Sequence, residues 1–286
     1  MQRNILISIE YDGTNFHGWQ RQPEQRTVQG TLEKVISSVL GKNVSIRGVS
    51  RTDARVHAHC QMAQFRTELL IPLNRLKTVI NNALAKEIGQ TGIIPDINIK
   101  ELKAVNFDFD IKKEVGGKKY SYFVETGSER EITHRNTRYF VDDILDIAQM
   151  RTAARALEGC HDFSAFKSAG GDPDQDPNKT IYSIDITAYG ENGTAEEAKS
   201  AESVVISQKL RFDFYGDSFM YNQVRIMVGT LIDVGRGRIG AGSLYDILEG
   251  KDRQKAGHTA PPQGLFLEKI YLNEEWDEIR RTYGKL

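Results

Sequence analysis

The chain opens with apolar residues at every second position: Ile5, Ile7, Ile9 and Tyr11 fall on one side, Leu6, Ser8 and Glu10 on the other. A period of two predicts a β-strand. The period then lengthens. Val28, Leu32, Val35, Ile36 and Val39 recur three and four apart, which predicts an amphipathic helix with Thr27 as its cap and Gly41 as its stop. Alternation returns in "NVSIRGVS" and "QMAQFRTE", so two strands are expected to flank the polar stretch "GVSRTDARVHAHC" at 48–60. "IPLNRLKTVINNALAK" predicts a helix at about 72–87 that ends near Gly89, and "KKYSYFVETG" predicts another strand.

The second half repeats the pattern in kind but not in sequence. A helix is expected at about 142–158, then "CHDFSAF", then strands in "TIYSIDITAYG" and "ESVVISQKLRFDFYG". The apolar-periodic "MYNQVRIMVGTLIDVG" predicts a helix, "SLYDILEG" a short one, and "GLFLEKIYL" a closing strand. Helices on one face of a largely antiparallel sheet fit both halves, an α+β fold. The expected division is 1–105, carrying the polar 48–60 stretch, and 106–286. "SAGGDPDQDPN" and "GENGTAEEAKSAES" are acidic and turn-rich, and are expected to be mobile surface loops.

Composition narrows the class. With 286 residues, 39% hydrophobic and 27% charged, the chain is globular and long enough for a sizeable core. The apolar run at the start is too short for a signal peptide, and no window reaches the length of a membrane span. Two cysteines, Cys60 and Cys160, are too few for a disulfide framework, which leaves a reducing cytoplasm as the expected setting. The net charge of −1 is uninformative until its distribution is seen. Residues 172–202 are strongly acidic and the first sixty carry a surplus of Lys and Arg. The remainder outside the acidic stretch is therefore basic, as a polyanion binder needs, although uneven charge on a soluble enzyme looks the same.

Several motifs can be set aside. "GRGRIGAG" contains G-x-G-x-x-G but follows a predicted helix, whereas a dinucleotide fingerprint follows a strand. In "HAHC" strand alternation puts His57 and His59 together and turns Cys60 away, and no second ligand group has zinc spacing. Asp53 is different. Placed between Arg51 and Arg55, its charged form should be favoured, which suits a nucleophile or an electrostatic stabiliser, or simply an ion pair that fixes a turn. Tyr120 and Tyr122 share a strand face beside Lys118 and Lys119; this fits a base-stacking surface with phosphate contacts, or two tyrosines on a half-buried sheet. Arg225 lies in an otherwise apolar helix and should meet a carboxylate, for which Asp53 is a candidate. "YDGTNFHGWQRQPEQRTVQG" crowds aromatics, glycines and Arg21 ahead of a helix: either a binding segment or loop packing around Trp19 with its arginines solvated.

Taken in order, "YDGTNFHGWQRQ" with "TVQGTLE", then "SRTDARVHA", "KKYSYFV", "HDFSAF", "VRIMVGTLIDVGRGR", "KDRQKAGHTAP" and "GLFLEKI" resemble the TruA family of tRNA pseudouridine synthases over nearly the whole chain. The resemblance implies a pseudouridine synthase fold, with two α+β halves facing a central basic cleft, and a homodimer that binds tRNA. It implies isomerisation of uridine to pseudouridine at positions 38, 39 and 40 of the anticodon stem-loop, without cofactor or metal. Carried over by position, Asp53 is the essential aspartate, Arg51 the arginine that displaces the target base, and Tyr120 the tyrosine that stacks on the uracil. Arg225 is the partner of the aspartate, and Leu265 the apolar residue under the base. Lys118, Arg21 and Arg55 are expected to add contacts to the RNA.

The chain departs from the family pattern at Arg55, where glycine is usual, and at "FDIK", where F-H-A-R is common. Arginine tolerates positive φ poorly, so the turn at Arg55 is expected to differ, or the glycine is dispensable and Arg55 adds a phosphate contact. Asp110 brings a negative charge to the expected RNA surface, and Lys112 lacks the fork of an arginine. A catalytically silent RNA-binding relative, and an isomerase for another structured RNA, fit the same residues.

Overall fold

The computed structural model describes residues 2–87, 94–128, 130–171, 173–189 and 207–283. In chain order its first elements are β1 (Arg3–Tyr11), α1 (Val28–Leu40), β2 (Arg47–Gly48), β3 (His57–Thr67), α2 (Leu73–Glu87), β4 (Ile97–Val105), α3 (Ile111–Glu114) and β5 (Val115–Gly127). Then follow β6 (Tyr139–Val141), α4 (Ile147–Arg155), β7 (Gly159–Asp162), β8 (Asn178–Tyr189), β9 (Ser207–Gly216), α5 (Gln223–Gly235), α6 (Ser243–Gly250), β10 (Leu265–Leu272) and α7 (Asn273–Tyr283). The fold is mixed α/β with a large, mostly antiparallel sheet, in which β3–β10 and β5–β6 are parallel pairs. No helix among the described residues is long and apolar enough to cross a membrane.

The chain divides into two compact units, Met1–Gly116 with Phe266–Asn273, and Gly117–Leu265 with Glu274–Leu286. In the first unit β1 lies between β4 and β3 and is antiparallel to both. The alternating Ile5, Ile7, Ile9 and Tyr11 are buried as their period requires. Helix α1 forms as its caps predict: the Thr27 side chain accepts from Gly30 N, and Gly41 at φ 66° ends the helix in the left-handed region. Its buried face ends in Leu40 rather than Val39, which is only half-buried. Asn81 joins α2 to β4 by donating to Ile99 O at 3.0 Å and accepting from Ile99 N at 2.8 Å. The strand expected across "NVSIRGVS" shrinks to Arg47–Gly48, because α1 takes the Ile46 backbone instead: Ile46 N donates to Glu33 and Ile46 O accepts from Gln29.

In the second unit β9 pairs antiparallel with both β5 and β8, and β7 extends the sheet beyond β8. The helix expected at 142–158 is shorter, Ile147–Arg155, because the Asp146 side chain caps it by accepting from Gln149 N. Helix α5 is buried on nearly every side, which a helix apolar all round requires. Among the elements that carried too little apolar periodicity to be anticipated are β4 and the charged α7. The latter is anchored by fully buried Trp276, whose ring lies where a Cβ on Gly117 would come within 2.2 Å. The expected helix end at Gly89, Asp172 of the first acidic loop, and the second acidic loop at 190–203 lie outside the described residues.

Helix α5 packs backbone to backbone at Gly229, where an added Cβ would stand 1.9 Å from His258 O. Gly229→Ala is therefore expected to destabilise the protein by about 1–3 kcal/mol through overpacking. Urea unfolding is the measurement, and a wild-type midpoint would mean that α5 moves away from residue 258 at no cost.

Candidate active site

In the first unit the polar loop 50–56 is built against the segment 11–19 by main-chain hydrogen bonds. Trp19 N donates to Thr52 O at 3.1 Å, Arg55 N to Phe16 O at 3.1 Å and Val56 N to Asp53 O at 3.2 Å. The Tyr11 and Thr52 hydroxyls meet at 2.7 Å, and Gln61 Nε2 donates to Ser50 O at 2.7 Å. Glycine is required where the two segments touch. A Cβ at Gly13 would lie 2.0 Å from Val56 O, and one at Gly18, which has φ +86°, would lie 2.6 Å from Thr52 O. Trp19 is buried, with its ring 2.5 Å from where a Gly48 Cβ would stand. "YDGTNFHGW" is thus the seat of the loop, and Asp53 is held half-buried near its tip.

The flanking arginines do not clamp Asp53 as expected. Arg51 and Arg55 are exposed, and among the described residues neither guanidinium forms an ion pair. Arg55 adopts φ 66°, a left-handed conformation that costs about 1–2 kcal/mol relative to glycine. Of the two expectations for this position, the structure favours the second, that glycine is dispensable: arginine occupies the left-handed conformation itself. Behind the loop His57 is buried and stacks on Phe266 at 4.5 Å, and His59 lies against the same ring. His57 Nδ1 is 3.1 Å from Gly13 N and 3.2 Å from Asp12 Oδ1. The His57 hydrogen bond foremost, aided by Thr14 and opposed by burial, holds the Asp12 carboxyl well below the usual carboxylate range. His59 Nδ1 meets Glu268 at 3.0 Å. Arg21 is largely exposed and paired with Glu33 at 3.1 Å.

In the second unit Arg225 is half-buried on α5. Its Nε donates to Ala260 O at 2.7 Å and its Nη1 to Asn222 Oδ1 at 2.6 Å. Asn222, in the left-handed region at φ 61°, is a positioning residue the sequence pattern did not flag; its only signal was an asparagine just ahead of a helix. Tyr122 donates to Pro261 O at 2.6 Å and is fully buried, and burial raises its pKa well above the ordinary value despite the nearby Arg225. A Cβ on Gly264 would strike the Tyr122 ring at 2.7 Å, so Tyr122 fixes the backbone that leads into buried Leu265. Tyr120, on the same strand face, is buried with its ring edge-on to Phe219 at 5.1 Å. The strand's other face carries a separate network, in which Lys119 and Arg211 pair with Asp213 at 3.1 and 2.8 Å.

Asp110 has a structural duty: it caps α3 by accepting from Lys112 N and pairs with Arg47 at 3.1 Å. Glu125, Glu131 and His134 bring one ligand atom each within 4.8 Å of one another. Lys209, 2.6 Å from Glu131, and Arg138, 3.9 Å from Glu125, supply the counter-charge there, so the cluster is an ion-pair network.

A family model described as tRNA pseudouridine synthase matches residues 7–108 and 153–272. Asp53, Arg225 and Leu265 fall inside the match, and Lys118 and Tyr120 outside it. The tRNA pseudouridine synthase A of a Thermoanaerobacter species is 40% identical over 94% of this chain and 99% of its own length. That of Acetivibrio thermocellus is 38% identical over 94% of this chain and 99% of its own. That of a Geobacillus species is 38% identical over 96% and 100%.

Burial pulls the half-buried Lys118 ammonium down to about 8 from its ordinary 10.5, with Asp217 opposing and Lys179 adding to the shift. Below pH 8 the charged amine is a full penalty on the folded state. Between that value and 10.5 the unfolded chain holds more protons, so the penalty fades as pH rises. Lys118→Gln is therefore expected to be more stable than wild type at pH 7, by a margin that shrinks by pH 9.5. Urea midpoints across that range test this, and a constant margin rules it out.

Proposed function

The chain belongs to the tRNA pseudouridine synthase family, and on that premise we propose that it isomerises uridine to pseudouridine in tRNA, with Asp53 as the reacting carboxylate. The observation that carries the proposal is the seating of Asp53. A half-buried carboxylate sits near the tip of a loop held by main-chain hydrogen bonds to a glycine-rich segment, as a reacting group needs to be.

The chemistry assigns the remaining roles. A base stacked in a helix is out of reach, and extruding it costs a few kcal/mol. Arg51, exposed beside Asp53, fills the vacated place, and Tyr120 restores stacking to the extruded uracil. Asp53 acts as nucleophile toward C1′, as base toward a ribose proton, or as nucleophile toward C6 of the base, while the N1–C1′ bond breaks. The uracil turns, C5 bonds to C1′, the C5 proton leaves and N1 takes one up; product and substrate are isomers, so no second substrate enters. Arg225, steadied by Asn222 and the Ala260 carbonyl, keeps Asp53 ionised. Leu265 keeps water from the detached base. Lys118 and Arg21 contact the RNA backbone. The resemblance supports the finer reading too: a basic cleft, a homodimer, a cytoplasmic setting, and positions 38, 39 and 40 of the anticodon stem-loop as targets.

Release of tritium from tRNA labelled at uracil C5 measures the reaction directly. Wild type is expected to release label, and binding without release would sink the proposal. Asp53→Ala should abolish release and leave tRNA affinity within about threefold; lost affinity would make Asp53 a folding residue instead. Arg51→Ala should lower turnover by roughly tenfold or more, the scale of a few kcal/mol of extrusion, with a smaller change in affinity. An unchanged rate removes its base-displacing role.

A further inference from the structure

Arg55 stands at φ 66°, where a side chain with a Cβ is strained and glycine or asparagine is at ease. The conformation is imposed by the seat of the loop, since Arg55 N is tied to Phe16 O and Val56 N to Asp53 O. A residue kept in an unfavourable backbone state points to a function at that position. The side chain supplies the function. Its guanidinium is exposed, as are its neighbours Arg51 and Ala54, and it has no ion-pair or hydrogen-bond partner among the described residues. Asp12, next to the Gly13 that touches the Arg55 backbone, is taken up by His57 and Thr14.

We infer that Arg55 is a phosphate clamp: its guanidinium grips a phosphodiester next to the extruded uridine while Asp53, two residues before it, reacts with that uridine. The inference rests on the reading that the chain acts on tRNA. A planar fork matches two oxygens of one phosphate, and a backbone contact of this kind sets position without reading sequence. Arg51 and Arg55 then divide the work on either side of Asp53, one filling the stack and one holding the strand.

Arg55→Asn and Arg55→Gly suit the left-handed conformation, so both should fold with a melting temperature equal to or above that of wild type. Their tRNA affinity at about 0.1 M salt should fall by roughly tenfold, and the dependence of log K on log salt should become shallower by about one unit. The loss should be similar for different tRNA substrates, and turnover at saturating tRNA should stay within about twofold. Arg55→Lys should keep most of the salt dependence. An unchanged affinity and salt slope in Arg55→Asn, with wild type active on tRNA, overturns the clamp alone. A loss confined to turnover at saturating tRNA also overturns it, assigning Arg55 to the geometry of Asp53. If wild type neither binds nor modifies tRNA, the functional reading falls and the clamp with it.

Discussion

The backbone of 12–19 runs so close to that of 52–56 that no Cβ fits at Gly13 or Gly18, and the polar loop owes its shape to this approach. Loops are ordinarily the mobile parts of a fold. Here the amides of Trp19, Arg55 and Val56 and the carbonyls of Thr52, Phe16 and Asp53 are paired with one another, so the loop has the fixed geometry of a secondary-structure element without its regular pattern. The same pairing holds Arg55 in the left-handed region, and both Arg51 and Arg55 are exposed. An aspartate between two arginines becomes a carboxylate with two exposed cations beside it.

The second unit achieves precision differently, by burying the groups that position its arginine. Helix α5 is surrounded, and its half-buried Arg225 is gripped by a side chain one turn away and by the Ala260 carbonyl. Close packing at Gly229 and Gly264 brings the 258–264 segment against α5 and β5, and a packed interior leaves such groups little room to move. Lys118 is the exception, an ammonium drawn down by burial, and anionic surroundings would relieve it.

Much of this was legible beforehand where a local rule governs. Thr27 and Gly41 bound α1 because capping needs only the nearest amides and a left-handed residue. The alternation of Ile5, Ile7 and Ile9 located β1, and "SLYDILEG" marked α6. Local rules failed where a distant partner intervened. "NVSIRGVS" has strand periodicity, but Glu33 and Gln29 of α1 capture Ile46. Asp110 read only as a charge near the expected RNA surface, and the sequence did not show that it also caps a short helix and pairs with Arg47.

The sequence by itself determined most of the elements and the family, because periodicity, caps and an ordered set of motifs are all properties of the chain read in line. Tertiary structure alone decided how the residues around Asp53 are held. Arg55 stands in the left-handed region, and the backbone that holds it there is pressed by glycines of a segment some forty residues earlier. Main-chain contacts of this kind leave only a glycine as their trace in a sequence, and a glycine does not say which carbonyl it makes room for.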